Sequence, residues 1–209
     1  MGRAMSDAYL NPYRDAEDAC GASFGITLWA SPQAQKLRFE VMSQMCFFAG
    51  KRMLDAGCSR GDLAEFLHER DIAYAHYAGI DGLPHVIQFA QSRGLPRTQF
   101  LVGDFVQQPQ LLRTGDPQII TISGSLNTMR DPEITGVLEA AWASTGETLI
   151  FNFLSDRVVR RPRKEALHPA RRLNTVKMLD WALTRTPNVA LRHDYFSDGH
   201  DCTILLRKG

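Results

Sequence analysis

No apolar run in the 209-residue sequence approaches the roughly 20 residues needed to span a bilayer. The opening MGRAMSDAYL also lacks the apolar stretch of an export signal. Cysteine is scarce: Cys20, Cys46, Cys58 and Cys202 are scattered, without paired metal-ligand spacing, and too few to staple a chain of this length. An excess of one charge is missing too. Lys and Arg number 24 against 23 Asp and Glu, a formal net charge of +1, so the molecule as a whole is not steered toward nucleic acid or membrane. The expectation is a cytoplasmic protein with reduced thiols, no metal centre and no membrane partner. What is present suits one globular domain with a sizeable core: 44% apolar and 22% charged residues, without an internal repeat.

The apolar pattern alternates between two periods. Residues 1 to 22 are polar and predict an arm or short helices. Ser31 to Phe48 reads as a helix, with Ser31 as cap, Pro32 in the first turn, and Leu37, Val41, Met45 and Phe48 on the core face. Short apolar runs at 52–56, 77–80, 100–104, 118–123 and 148–154 then alternate with helical stretches at 61–70, 84–92, 132–143 and 174–184. That order predicts a mostly parallel sheet covered on both faces. VALRHDY and CTILLRK flank FSDGHD, a turn, and predict a terminal antiparallel pair.

MLDAGCSRGDLAEFL places Gly57 directly after the first strand and Gly61 at the opening of the next helix. The pair either makes a plain strand-to-helix turn or clears space for a ligand, since ligands of open parallel sheets sit beyond the carboxyl ends of the strands. The spacing Gly57, Ser59, Gly61 is not the G-x-G-x-x-G of a dinucleotide loop, and no Gly-Lys-Ser or Gly-Lys-Thr follows. Asp55 opposes a pyrophosphate but favours a ligand carrying positive charge.

Two further acids end the next strands. Asp81, in YAGIDGLP, suits the two hydroxyls of a ribose. Asp104, in FLVGDF, suits the exocyclic amine of an adenine, with Phe105 against the ring. Each acid alone is also explained as a cap or turn residue. Together they fall where one extended nucleoside meets them all.

In this order MLDAGCSRGDLAEFL, YAGID, FLVGDF and ITISGSLN resemble the first four motifs of class I S-adenosylmethionine-dependent methyltransferases. ALRHDYFSDGHDCTILLRK resembles the sixth and seventh strands of that family. SFGITLWASPQAQKLRFEVM, ISGSLNTM and FNFLSD further resemble a small, poorly characterised bacterial subgroup. The resemblance implies an α/β, Rossmann-like fold: a mostly parallel seven-stranded sheet with a C-terminal antiparallel hairpin. It implies residues 49–209 as the methyltransferase domain and 1–48 as an arm and helix packed on it. S-adenosyl-L-methionine is the implied cofactor. Asp55, Gly57, Ser59, Gly61 and Ser123 would lie around its methionine part, Asp81 on the ribose, Asp104 and Phe105 at the adenine. Arg38 would meet the carboxylate and Trp29 close the site; their alternatives are a surface helix residue and a packing residue. Ser59 departs from the family loop, where a glycine stands.

SGSLNTMRD is the expected reaction mouth. Ser125 and Asn127 are the catalytic candidates and Thr128 an acceptor-binding one, although the same residues suit a self-capped structural loop. The D/N-P-P-Y constellation of amino-methylating enzymes is absent. Asn152 at the end of the fifth strand, and Arg160 and Arg161 in RVVRRPRKEALHPARR, are the remaining substrate-binding candidates. The segment 157–172 is expected to be a basic cover loop, its arginines suited to a phosphate or carboxylate. A small-molecule acceptor of anionic character ranks ahead of nucleic acid. His193 and Tyr195 are acid–base groups that no spacing places at the reaction centre. The rival reading is a noncatalytic protein that retains the cofactor and engages RNA or another protein; an oxidoreductase ranks lower.

Overall fold

Leu54, Ala56, Ile120 and Ile122 face one side of a central sheet, while Met53, Tyr77, Ile119 and Ile150 face the other. This is the period of two that a strand buried on both faces needs. A computed structural model describes residues 7–159 and 169–209. Its seven strands are β1 (Arg52–Ala56), β2 (His76–Asp81), β3 (Thr98–Val102), β4 (Ile119–Ser123), β5 (Thr148–Leu154), β6 (Val189–Arg192) and β7 (Asp201–Arg207). They lie in the order β3-β2-β1-β4-β5-β7-β6. β1 to β5 pair parallel; β7 inserts between β5 and β6, antiparallel to both. The expected sheet and its antiparallel end are therefore observed.

Strand order reverses between β1 and β4, and in open sheets the crevice at such a point is where ligands bind. The inserted strand matters equally. Because β7 runs antiparallel to β5, its first residue Asp201 pairs with Leu154, the last of β5. The turn joining β6 to β7 thus arrives at the carboxyl end of the parallel strands.

Helices α1 (Asn11–Cys20), α2 (Pro32–Met45), α3 (Asp62–Glu69), α4 (Pro84–Ser92), α5 (Asp131–Ser144) and α6 (Thr175–Leu183) accompany the sheet. The Ser31 hydroxyl accepts from the Ala34 amide at 3.1 Å and Pro32 opens α2, as its sequence predicts. Two local expectations need correction. α2 buries Gln35, Arg38, Phe39, Val41 and Met42, whereas Leu37 is only half-buried. The helix ends at Met45, and Phe48 is buried from the following coil. A purely apolar stripe misplaces this helix because its inner face carries polar groups toward a cavity. The third strand ends at Val102, so Asp104 lies in the loop beyond it.

Within 157–172, residues 160–168 lie outside the described residues, and with them Arg160, Arg161, Arg163 and Lys164. No helix among the described residues is long and apolar enough to cross a membrane. No cluster of three or more His, Cys, Asp or Glu among them is suited to a metal ion.

Candidate active site

A cavity of about 570 Å³ opens at the carboxyl ends of β1, β2 and β4, within the usual range for small-molecule sites. Gly57, Cys58 and Ser59 form its floor beside Asp55. Gly57 and Cys58 both donate their amides to the Ile80 carbonyl, at 2.8 and 3.0 Å, which bends the chain sharply out of β1. Gly57 has φ +82°, and a Cβ there would lie 1.9 Å from Ser125 Oγ. Gly61 answers to packing instead. It has φ +74°, its Cβ would meet the Phe100 ring at 2.9 Å, and it is not on the cavity wall. Ser59 adopts φ +46°, a left-handed conformation in which glycine is unstrained and serine is not. Its amide donates to Asp81 Oδ2 at 2.9 Å, which holds the bend in place.

The three acids are differently occupied. Asp55 is buried, and its carboxylate accepts from the Tyr77 hydroxyl at 2.6 Å and the Thr121 hydroxyl at 2.9 Å. Burial pushes it up to about 6 against those two hydrogen bonds. It therefore anchors β1 to β2 and β4 as well as reaching the cavity wall. Asp81 accepts the Leu83 and Ser59 amides, one on each oxygen, and burial raises it to about 6 as well. With the Gly82 amide also bonded to it, the carboxylate keeps acceptor capacity for a ligand hydroxyl. Asp104 accepts the Tyr9 hydroxyl at 2.7 and 2.6 Å on its two oxygens, and the Val106 and Gln107 amides. Phe105 is buried beside it and also lines the cavity.

α2 and the segment before it supply the opposite wall. Arg38 is buried; its Nε donates to Asp201 Oδ2 at 2.6 Å, Nη2 also pairs with Asp201, and Nη1 donates to the Ala34 carbonyl. Its guanidinium carbon stands 4.2 Å from the Trp29 ring centroid and 4.7 Å from that of Phe196. Trp29 in turn lies against Gly124, where a Cβ would come within 2.5 Å of the indole. Arg38 is thus neither a surface residue nor an uncommitted cation. One N–H on each of Nη1 and Nη2 remains beyond the bonds described.

The mouth residues divide. Ser123, Ser125, Asn127 and Thr128 line the cavity. Asn127 Oδ1 accepts the Leu154 amide at 2.9 Å, so its carbonyl side ties the mouth to the end of β5 and leaves Nδ2 as a donor. Ser125 Oγ donates to the Ala56 carbonyl at 3.4 Å. Asn152 is fully buried behind Ser123, to which its Nδ2 donates at 3.1 Å, and is not on the wall. Its Oδ1 has no hydrogen-bond partner among the described residues.

Several wall residues escape sequence reasoning. Tyr9, Tyr13 and Gln35 come from the arm and α2; Arg172, Asp198 and His200 come from segments flanking β5 and β7. His200 Nδ1 and Asp198 Oδ1 are 2.5 Å apart. The spacing D-x-H inside FSDGHD is the one available signal, and it reads first as a turn. His193, by contrast, bonds Ser155 Oγ at 2.8 Å and is not on the wall, and Tyr195 bonds Asp201 and Thr203.

Comparison with known proteins bears on this arrangement. A protein-family model described as a methyltransferase domain matches residues 47–157, the span from the end of α2 through β5. The comparison with curated proteins returns no significant match. Among solved structures, a SAM-dependent methyltransferase from Archaeoglobus fulgidus superposes with TM-score 0.66 at 14% identity, over 85% of this chain and 95% of that one. Magnesium protoporphyrin IX methyltransferase from Synechocystis PCC 6803 with bound SAM gives TM-score 0.61 at 12% identity, over 100% and 87%. An O-methyltransferase family protein from Burkholderia thailandensis gives 0.67 at 16% identity, over 94% and 62%. At these identities the likeness is one of fold.

Proposed function

The chain belongs to the methyltransferase-domain family, and from that membership we propose that it uses S-adenosylmethionine to methylate a small-molecule acceptor. The observation that carries this reading is the cavity itself: a glycine-floored bend, Asp81 and Asp104 share one wall at the ends of successive strands. The residues fit the cofactor on their own chemistry. Gly57 holds the bend on the cavity wall in a left-handed conformation, where a Cβ would displace the Ser125 hydroxyl beside it. Asp81 has acceptor capacity left for a ribose, and Arg38 has N–H groups left for a carboxylate. Asp55 adds negative potential beside the floor, suited to a cationic ligand, once it is ionised above about pH 6.

When bound, the cofactor would supply a sulfonium methyl group for an acceptor lone pair. The chain's own contribution is position and exclusion of water. Trp29, Met129 and Leu154 give the remaining wall an apolar face, and Asn127 Nδ2 offers a hydrogen-bond donor there. A cavity of about 570 Å³ favours a small acceptor over a macromolecular one. The RNA-binding alternative rests on the basic residues 160–164, which lie outside the described residues.

Incubating the purified protein with methyl-labelled cofactor and a cell extract tests the assignment. Label recovered in the small-molecule fraction is the expected result. Label confined to protein or RNA replaces the acceptor class, and no transfer by a folded, cofactor-binding protein removes the activity.

A further inference from the structure

We propose that His200, held by Asp198, is the proton acceptor for an acidic hydroxyl of phenol type on the methyl acceptor, a proposal that rests on the methyltransferase reading above. Both residues lie on the wall of the same cavity as Asp81 and Gly57, at the end fed by the β6–β7 turn. The antiparallel insertion of β7 places them there, since the residue after His200 pairs with the end of β5.

The pair has a defined polarity. Burial alone would raise the Asp198 carboxyl, but the hydrogen bond and charge of His200 hold it below the ordinary value. An ionised carboxylate 2.5 Å from Nδ1 can only accept, so Nδ1 carries a proton and Nε2 is the ring atom left for proton transfer. Nε2 has no hydrogen-bond partner among the described residues. The ring is also fixed in place. It lies 4.1 Å from the Phe196 ring, and its backbone carbonyl accepts from the Ser155 amide at 3.0 Å and from Arg172 Nη1 at 3.1 Å.

The chemistry narrows the acceptor to a group that gives up a proton, and the apolar wall with its Asn127 donor favours an aromatic oxygen over a thiol or an ammonium group. A thioether or an aromatic nitrogen has no proton to lose and needs no base. An aliphatic hydroxyl is too weak an acid for imidazole to ionise usefully. A phenolic hydroxyl, with pKa near 10, lies within reach of a neutral imidazole. The proton passes to Nε2, and the O–H electron pair stays on oxygen and becomes the new bond to the methyl carbon. Asp198 balances the imidazolium, which returns the proton to water after product leaves. Trp29, Met129 and Pro169 provide an apolar wall that suits a flat ring, and Asn127 Nδ2 a donor for a second oxygen.

Among the described residues, the charged groups near the ring are Asp198 and Asp201 in its own segment, Arg38 over Phe196, Arg172 at its carbonyl, and His193 against Gly199. Asp201 is paired with Arg38, which leaves Asp198 as the carboxylate bonded to the ring.

Nitrogen-15 spectra of the histidine rings, taken with the whole chain saturated with S-adenosylhomocysteine, read the tautomer directly. The Nδ1-protonated form is expected for His200 at neutral pH, shifting toward the Nε2-protonated form in Asp198→Asn. In parallel, labelled methyl transfer to a panel of catechols and other phenols reads the acceptor. Wild type is expected to methylate at least one at oxygen. His200→Asn is expected to lower kcat at least 100-fold and Asp198→Asn at least 10-fold. S-adenosylhomocysteine affinity should stay within threefold of wild type, which excludes simple misfolding. An Nε2-protonated wild-type ring, undiminished kcat in His200→Asn, or wild type that binds S-adenosylhomocysteine but methylates none of the phenols at oxygen would each overturn the proposal. Failure of wild type to bind S-adenosylhomocysteine defeats the underlying cofactor reading instead.

Discussion

Gly57 and Ser125 are mutually exclusive with a larger side chain at either place: a Cβ on Gly57 would stand 1.9 Å from Ser125 Oγ. The loop after β1 and the mouth after β4 are therefore fitted to one another across the switch point. Gly57→Ala should cost about 1–3 kcal/mol from the left-handed backbone alone, with the collision added. Ser125→Gly in the same chain should recover the collision but not the backbone part. Urea denaturation of the four proteins of this cycle reads the difference. Full recovery would show that backbone conformation at Gly57 carries no cost.

Ser59 holds φ +46°, a conformation that glycine adopts without strain. Ser59→Gly should relieve that strain while adding chain entropy to the unfolded state, for a net gain of up to about 1 kcal/mol. The urea midpoint measures it. A clear loss would mean that the serine side chain, not its amide bond to Asp81, holds the bend.

Buried Asp55 titrates in an accessible range. Its carboxyl is raised to about 6, so the folded chain holds that proton more tightly than the unfolded chain does. Its contribution to stability is greatest below the unfolded value, near pH 4, and is lost as pH rises through about 6. Against Asp55→Asn, which does not titrate, the wild type should therefore lose relative stability between pH 4 and pH 7. Parallel melting curves of the two proteins decide it. A difference independent of pH would place the Asp55 proton elsewhere.

Arg38 and Asp201 form an ion pair buried from both sides. Asp201→Ala should destabilise by about 3–5 kcal/mol, because it leaves an uncompensated charge under Trp29 and Phe196. Replacing both with apolar residues, as in Arg38→Met with Asp201→Ala, should recover much of that loss. Thermal melts of the single and double variants measure the coupling; additive losses would mean the pair is not the unit.

Sequence reveals the parts of this molecule that are local. The apolar run of β1 followed by Gly57, and Asp81 closing β2, can be read from a dozen neighbouring residues. So can the Ser31 cap and the antiparallel end. Asp104 is displaced by two residues because a short strand ending near Gly103 gives no sharp boundary. Arg38 is harder, since a helix stripe containing Gln35 and Arg38 looks like solvent-facing surface until the cavity beneath it is known. Gly61 reads in sequence either as a turn or as ligand space, and the neighbour that its missing side chain admits is Phe100, which is 39 residues along the chain and joins it only through β3. Tyr9 on Asp104 depends on the arm meeting a loop 95 residues along the chain, and the place of the local Asp198–His200 pair on the cavity wall depends on the insertion of β7. No spacing within the chain encodes such meetings.

Calorimetric titration with S-adenosylhomocysteine, on wild type and Asp81→Ala, addresses the shared nucleoside cavity most directly. Binding by wild type and an affinity at least 10-fold weaker in a folded Asp81→Ala is the predicted outcome. Equal affinity in the two proteins, or no heat from a folded, ligand-free wild type at millimolar concentration, would contradict it.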